Sequence, residues 1–341
     1  MYHPRLKGTH YEMGQHYASI IYKNGFRISQ LPKLTGKAID FGKKSEIIVK
    51  KFYPEILEEV KGFADGCKGS YDFLVSFLLN IGIDEFGAPK CSVFAVNNGS
   101  NVIFGRNHDF YPEFKKTTES VLVSPQNGYK FIGQSDAFIG KIDGLNEKGL
   151  AIGMSFVLGK IIKPGISFEF AGRYVLEKCG TVEEAKKTLL NMEFATSQNF
   201  LIADKKGNMA VIEASPQKVK VREPERGDNF VIATNNFRIP EMKGFEKEHD
   251  RNWFNSETRF NTISDSLKNM CKTVDMSVAQ EILSGKYGFV CQYDKGTKID
   301  TLWSVVMNLN KSIFYRAEGN PSITEYKEDT RLDRVIKRNV K

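Results

Sequence analysis

The sequence predicts an α+β fold in which antiparallel sheets are covered by layers of helices. Three observations predict it. Apolar residues in the first 90 positions recur at helical spacing. At Cys91 the texture changes to short alternating runs separated by turn dipeptides. Two pairs of helical stretches then interrupt those runs, as layers covering sheets require. A chain of 341 residues is long enough to bury a large core, in one large domain or two modest ones. With 41% hydrophobic and 26% charged residues, wholesale disorder is excluded.

In chain order, a helix is predicted from Tyr11 to Ile28 with Thr9 as its cap, and another from Lys43 to Asp65. In the second, Ile47, Ile48, Phe52, Ile56, Leu57 and Val60 share a face. Gly66 and Gly69 end it, and a third helix covers Tyr71 to Leu79. Gly82 to Lys90 reads as a loop. CSVFAV and VIFGRN then flank Asn98-Gly99, the strongest short hairpin signal. ESVLVS and YKFIGQ flank Asn127-Gly128, and NFLIAD and NMAVIEA flank a Lys-Lys-Gly turn. VKVRE and FVIATNN follow. Helical pairs are predicted at Phe168–Lys178 with Thr181–Met192, and at Ser256–Cys271 with Val274–Leu283. Two closing strands fall near Thr301–Met307 and Ser312–Arg316. The charged tail after Tyr326 reads as a solvated terminal helix or a frayed end.

The formal charge of +8 comes from 49 basic and 41 acidic residues, but the basic ones are scattered among acids. That argues against a nucleic-acid binder. The longest nearly apolar run, residues 73–83, is too short for a membrane helix, and the N-terminus has no apolar signal core. A cytoplasmic protein is the expectation. Five cysteines, at 67, 91, 179, 271 and 291, are odd in number, widely spaced and without a CxxC, so neither a disulfide scaffold nor a zinc ribbon is indicated. His10 and His16 have poor metal spacing. No phosphate-binding glycine motif is present, and no cofactor is implied.

One cysteine stands apart. Cys91 opens the first strand of the β-rich part, after a Gly-Ala-Pro-Lys linker. A two-residue loop at Asn98-Gly99 places Cys91 opposite Arg106; a longer loop shifts the partner to Asn107 or His108. Either way Arg106–Asp109 lies beside the thiol. An arginine there favours the thiolate. His108 is a second candidate, as a base for Cys91, although it alternates faces with Asp109. The alternative is a buried core cysteine beside a surface Arg–Asp pair. Phe110, Tyr111 and Phe114 are expected to line an acyl pocket or to pack, and Trp253 and Phe254 to cap a site entrance.

A nucleophile at the start of a strand is what an N-terminal nucleophile hydrolase requires, and here the sequence resembles a known group. GTHYEMGQHYA, EEVKGFADGCKGSYDFL, CSVFAV with FGRNHDF, DGLNEKGLAIGMSF, ATNNF and SETRF resemble, in order, the motifs of the acyl-CoA:6-aminopenicillanic acid acyltransferase-like group, peptidase family C45. Choloylglycine hydrolases and penicillin V acylases are more distantly similar. The resemblance runs from about Leu6 to Ala317. It implies a four-layer αββα sandwich with a helical pro-segment at 1–90, a catalytic domain at 91–326 and a charged tail at 327–341. It implies self-cleavage between Lys90 and Cys91, so that Cys91 becomes both nucleophile and α-amine. An α-amine titrates near 8 and can act as a base at neutral pH. Asp109 is implied to hold that amine, Arg106 to lie against the thiol, Asn235 to offer its amide to the oxyanion and Arg259 to brace the site. Ser155 stands where relatives carry Asn, so only its backbone N–H is expected as an oxyanion donor. Lys90 stands where a small residue is common.

The implied activity is hydrolysis of a linear amide through a Cys91 acyl-enzyme. Acyl transfer from an acyl-CoA or amide to an amine is the alternative, and an uncleaved binding protein is a further one. The expected partners are a small N-acyl or acyl-thioester substrate and the chain's own cleaved pro-segment, with homo-oligomers possible and neither nucleic acid nor membrane.

Overall fold

A computed structural model of the chain describes residues 1–83, 90–248, 255–270, 272–293, 296 and 298–338. Strand β1, Arg5–Gly8, leads into α1, His10–Lys23, where Thr9 and Glu12 form a capping box. α1 stops five residues before the predicted Ile28; Ile28–Gln30 is a separate 3-10 turn. The single helix expected over Lys43–Asp65 is two, α2 at Gly36–Phe52 and α3 at Pro54–Gly66. Pro54 disfavours helical backbone at Tyr53, whose φ and ψ are −142° and 65°. α4 is Tyr71–Leu79. α1 and α3 cross tightly at glycines: a Cβ on Gly62 would lie 2.0 Å from the Tyr11 carbonyl oxygen.

The β-rich part forms two sheets. The larger runs β1, β4 (Glu119–Pro125), β5 (Phe131–Ser135), β6 (Asp143–Asn146), β7 (Leu150–Val157), β8 (Ser197–Asp204), β9 (Met209–Ala214) and β10 (Val219–Arg222). The smaller runs β11 (Phe230–Ala233), β2 (Lys90–Asn97), β3 (Val102–Phe110), β12 (Asp300–Asn308), β13 (Ile313–Ala317) and β14 (Lys327–Glu328). The ladders are antiparallel except β1 on β4, a pairing the sequence did not suggest. β2 packs across on β7 and β8, burying one apolar cluster between the sheets. α5 (Phe168–Lys178) and α6 (Val182–Leu190) cover the larger sheet; α8 (Ser256–Met270) and α9 (Met276–Leu283) cover the smaller one over a second cluster. A one-turn helix, α7, spans Pro240–Lys243. The layers are therefore helix, sheet, sheet, helix, in an α+β sandwich.

The described residues before Lys90 are part of this unit. Glu59 of α3 pairs with Arg173 of α5 at 2.8 Å, and Glu177 of α5 accepts from the Tyr53 hydroxyl at 2.8 Å. Their apolar faces belong to the same buried cluster as the larger sheet. The C-terminal tail is docked as well: β14 extends the smaller sheet, Leu332 of α10 (Arg331–Arg338) is buried, and Arg331 donates to Ser120.

Candidate active site

The β2–β3 hairpin sets the geometry. Its loop is longer than Asn98-Gly99 alone suggests, because the Asn98 side chain accepts from the amides of Ser100 and Asn101 at 2.9 and 2.8 Å. Asn97 pairs with Val102, and Cys91 lies opposite His108 instead of Arg106. The displacement is two residues, so every side chain keeps its face. Cys91, Arg106 and His108 all point between the sheets.

Arg106 reaches Cys91 diagonally. Its Nη2 donates to Sγ at 3.0 Å, its Nε to the Met154 carbonyl at 3.1 Å, and its Nη1 to Asp143 Oδ2 at 2.5 Å. Trp303 Nε1 donates to the same Asp143 oxygen at 2.9 Å. Gly153 makes room for this: a Cβ there would sit 3.1 Å from Arg106 Cδ. Arg106 pulls the thiol down, as expected, but burial outweighs it. Cys91 is wholly buried, and burial pushes its thiol up to about 11 despite the pull of Arg106. The guanidinium is already paired with buried Asp143.

His108 joins the site more closely than the alternation argument suggested. Its Nδ1 lies 3.6 Å from Sγ and 3.2 Å from Arg106 Nη2, and its Nε2 is 3.3 Å from Asp136 Oδ2. Arginine only donates, so Nδ1 is assigned as the acceptor and Nε2–H points to Asp136. The ring stacks on Trp303, centroids 3.9 Å apart, and burial pushes the imidazole below its usual value. That shift favours the neutral ring, whose Nδ1 can accept a proton.

The backbone of Cys91 is held from the other side. Arg259 of α8 donates to the Cys91 carbonyl at 2.6 Å, to Ser92 Oγ at 2.9 Å and to Asn235 Oδ1 at 2.7 Å. Asn235 Oδ1 accepts the Cys91 N–H at 3.2 Å, while its Nδ2 donates to the Phe156 carbonyl at 2.8 Å. Ser256, on the first turn of α8, takes the Asn235 amide at 2.9 Å. Asp109 faces this side, with Thr301 Oγ1 at 2.6 Å and the Tyr293 hydroxyl at 2.7 Å on its two oxygens. Burial raises its carboxyl to about 6. Lys90 is buried opposite Asp109, its ammonium 5.0 Å from the Tyr111 ring, and burial lowers it to about 8.

Ser155 does not fill the expected role. Its hydroxyl donates to the Thr234 carbonyl at 2.5 Å. The Met154 amide donates to Ile142, so by strand alternation the Ser155 N–H turns the other way, into the ladder with Asn199 of β8. It is a bridge between β7 and the Thr234 segment. The residues that sequence reading missed, Asp136, Asp143, Tyr293, Thr301 and Trp303, lie on other strands or turns; of these, Asp143 alone falls in a stretch singled out above, opening DGLNEKGLAIGMSF without having been given a role.

A cleft of about 880 Å³ is lined by His108, the neighbour of Cys91, and by Asp136. Phe110, Tyr111 and Phe114 line it, together with Phe77, Ile81 and Phe168. The N-terminal segment thus supplies part of its wall. Cys67, Cys179 and Cys291 are buried with thiols pushed up to about 11, 11 and 12. Cys271, Trp253 and Phe254 lie outside the described residues. Among the described residues no cluster of three metal-ligating side chains occurs, and no helix is long and apolar enough to cross a membrane.

Solved structures show the same sandwich. Conjugated bile acid hydrolase from Clostridium perfringens matches with a TM-score of 0.51 at 17% identity, over 70% of this chain and 96% of that one. An N-acylethanolamine-hydrolyzing acid amidase ortholog from Caenorhabditis elegans matches with 0.50 at 19%, over 64% and 93%. Penicillin V acylase from Agrobacterium tumefaciens matches with 0.50 at 17%, over 71% and 87%. The shared fold is that of the N-terminal nucleophile hydrolases. No curated protein sequence matches the chain. Residues 96–323 match the model of the acyl-coenzyme A:6-aminopenicillanic acid acyl-transferase family. The chain therefore belongs to that family of enzymes.

Proposed function

We propose that Cys91 is the nucleophile of an amide hydrolase, released as an N-terminal residue by cleavage of its bond to Lys90. The observation that carries this is the convergence on one cysteine: a guanidinium 3.0 Å from its sulfur, and an asparagine and a second arginine on its own backbone N–H and carbonyl. For self-cleavage, Sγ attacks the Lys90 carbonyl carbon and the amide nitrogen leaves as the Cys91 amine. Water then opens the resulting thioester. In turnover the freed amine takes the thiol proton, and Sγ forms a thioester with the substrate acyl group. The leaving group, an amine from an amide or a thiol from an acyl thioester, departs with that proton, and water or an acceptor amine releases the acyl group. Asn235, adjacent to the Cys91 nitrogen, orients the amine, and Arg259 holds the backbone. The 90-residue and 251-residue pieces stay associated through their shared core.

The test is mass spectrometry of the enzyme during turnover of a panel: penicillin V, a conjugated bile salt, N-acyl amino acids, and acyl-CoA with amines. The 251-residue piece should gain one acyl mass, lost on hydroxylamine treatment and absent in Cys91→Ala. Labelling elsewhere, or turnover by Cys91→Ala, contradicts the reading.

One observation favours a second reading. Cys91 Sγ, His108 and Asp136 form a chain at 3.6 and 3.3 Å, so His108 supplies a base without cleavage. His108→Gln separates the two. With the amine as base, turnover falls by less than about tenfold; with His108 as base it falls by about 10²–10⁴.

A further inference from the structure

The cleft carries an acidic group that this chemistry does not use. Glu169, near the start of α5, lines its wall, is 1% exposed, and has no hydrogen-bond partner on either carboxyl oxygen. Buried polar groups are nearly always partnered, so an unpartnered carboxyl in the wall of a cleft marks a place for a ligand group. The neighbouring charges are committed elsewhere. Lys141, in the turn before β6, gives its ammonium to Glu119 of β4 at 2.9 Å and to the carbonyls of Phe138 and Gly140 at 2.6 and 2.7 Å. Asp136, in the turn after β5, faces His108. Burial, and next Asp136, push the Glu169 carboxyl well above the usual range, with Glu119 adding to this and Lys141 opposing it. The remaining wall is mostly aromatic and aliphatic, with Lys298 exposed at the cleft and Glu113 also lining it.

We propose that Glu169, with Asp136 beside it, is a subsite for a primary ammonium borne on an apolar chain, so that the substrate part occupying this cleft is amino-terminated. The proposal rests on the cleft serving Cys91. On binding, the Glu169 acid gives its proton to solvent, and the ammonium pairs with the resulting carboxylate. The aromatic wall takes the methylene chain, and Asp136 adds attraction for the positive charge. A carboxylate at the same end meets two acids and is rejected.

The experiment uses the full chain with Cys91→Ala, so it depends on neither cleavage nor turnover. Hexylamine, 1-hexanol and hexanoate are titrated calorimetrically at pH 7.5 in two buffers of different ionisation heat. Hexylamine is expected to bind at least tenfold more tightly than either analogue, with net proton release. Glu169→Gln should abolish both the preference and the proton release, with an unchanged melting temperature as the folding control. Equal binding of hexanol or hexanoate, no binding of hexylamine, or a preference surviving in Glu169→Gln overturns the proposal. If hexylamine binds as expected while the active chain forms no acyl-enzyme, the subsite stands and the reading of Cys91 falls.

Discussion

Arg106 and Asp143 offer the sharpest test of the energetics at the candidate site. Both are wholly buried, and their ion pair is 2.5 Å long. Replacing Arg106 by Met removes the charge and keeps most of the apolar volume. Asp143 then retains only the Trp303 indole N–H, because its second oxygen is already unpartnered. Stranding one member of a buried pair costs about 3–5 kcal/mol, a large share of the ~5–15 kcal/mol that holds a typical domain together. The background is Cys91→Ala, which keeps the chain intact and removes the sulfur contact from the comparison. Urea unfolding is followed by fluorescence, since Trp303 lies at the pair. Asp143→Leu removes the stranded carboxylate, so the double variant should be more stable than Arg106→Met alone. The coupling between the two sites should exceed about 1 kcal/mol. A loss below about 1 kcal/mol for Arg106→Met, or additive costs, refutes the reasoning.

Three further outcomes follow from the structure. Asp109 has its folded pKa raised from 3.8 to about 6, so its contribution to stability is fullest below pH 4 and is lost as pH rises through 6. In the intact Cys91→Ala chain, Asp109→Asn should therefore gain up to about 3 kcal/mol relative to its parent between pH 4 and 7; a pH-independent difference in urea midpoints contradicts this. Ser155→Ala should cost about 1 kcal/mol in unfolding experiments and slow turnover less than about threefold, since the hydroxyl's bonds to the Thr234 carbonyl and the Asn199 side chain are what is lost; a hundredfold fall would give that hydroxyl a part in the chemistry. Helix propensity predicts a gain of about 1 kcal/mol for Gly62→Ala, whereas the 2.0 Å approach to the Tyr11 carbonyl predicts a loss of about 1–3 kcal/mol. The sign of the change in melting temperature decides between them.

What the sequence disclosed about the fold follows from what is local. Helical spacing located α4 and α5 to the residue, and the change of texture at Cys91 located β2. The break at Tyr53 was legible too, since a proline restricts the residue before it, but apolar spacing on both sides masked it. The hairpin register was harder. Asn98 turns its own side chain into the loop, and that choice moved the partner of Cys91 by two residues. Parity was preserved, so Arg106 still faced the sulfur. Asp143 and Trp303 went unassigned because they meet Arg106 only when β12 pairs beside β3 in the smaller sheet and β6 of the larger sheet is laid across it. The unpartnered Glu169 was hidden for a similar reason: in sequence it is one more acid in the first turn of a helix, where acids are common.

The central claim, that Cys91 is freed to act as an N-terminal nucleophile, is tested most directly by N-terminal sequencing of the purified chain beside its Cys91→Ala variant. Wild type should show a second terminus reading Cys-Ser-Val-Phe, and the variant should show none. An active wild-type chain that remains whole at 38.6 kDa contradicts the claim.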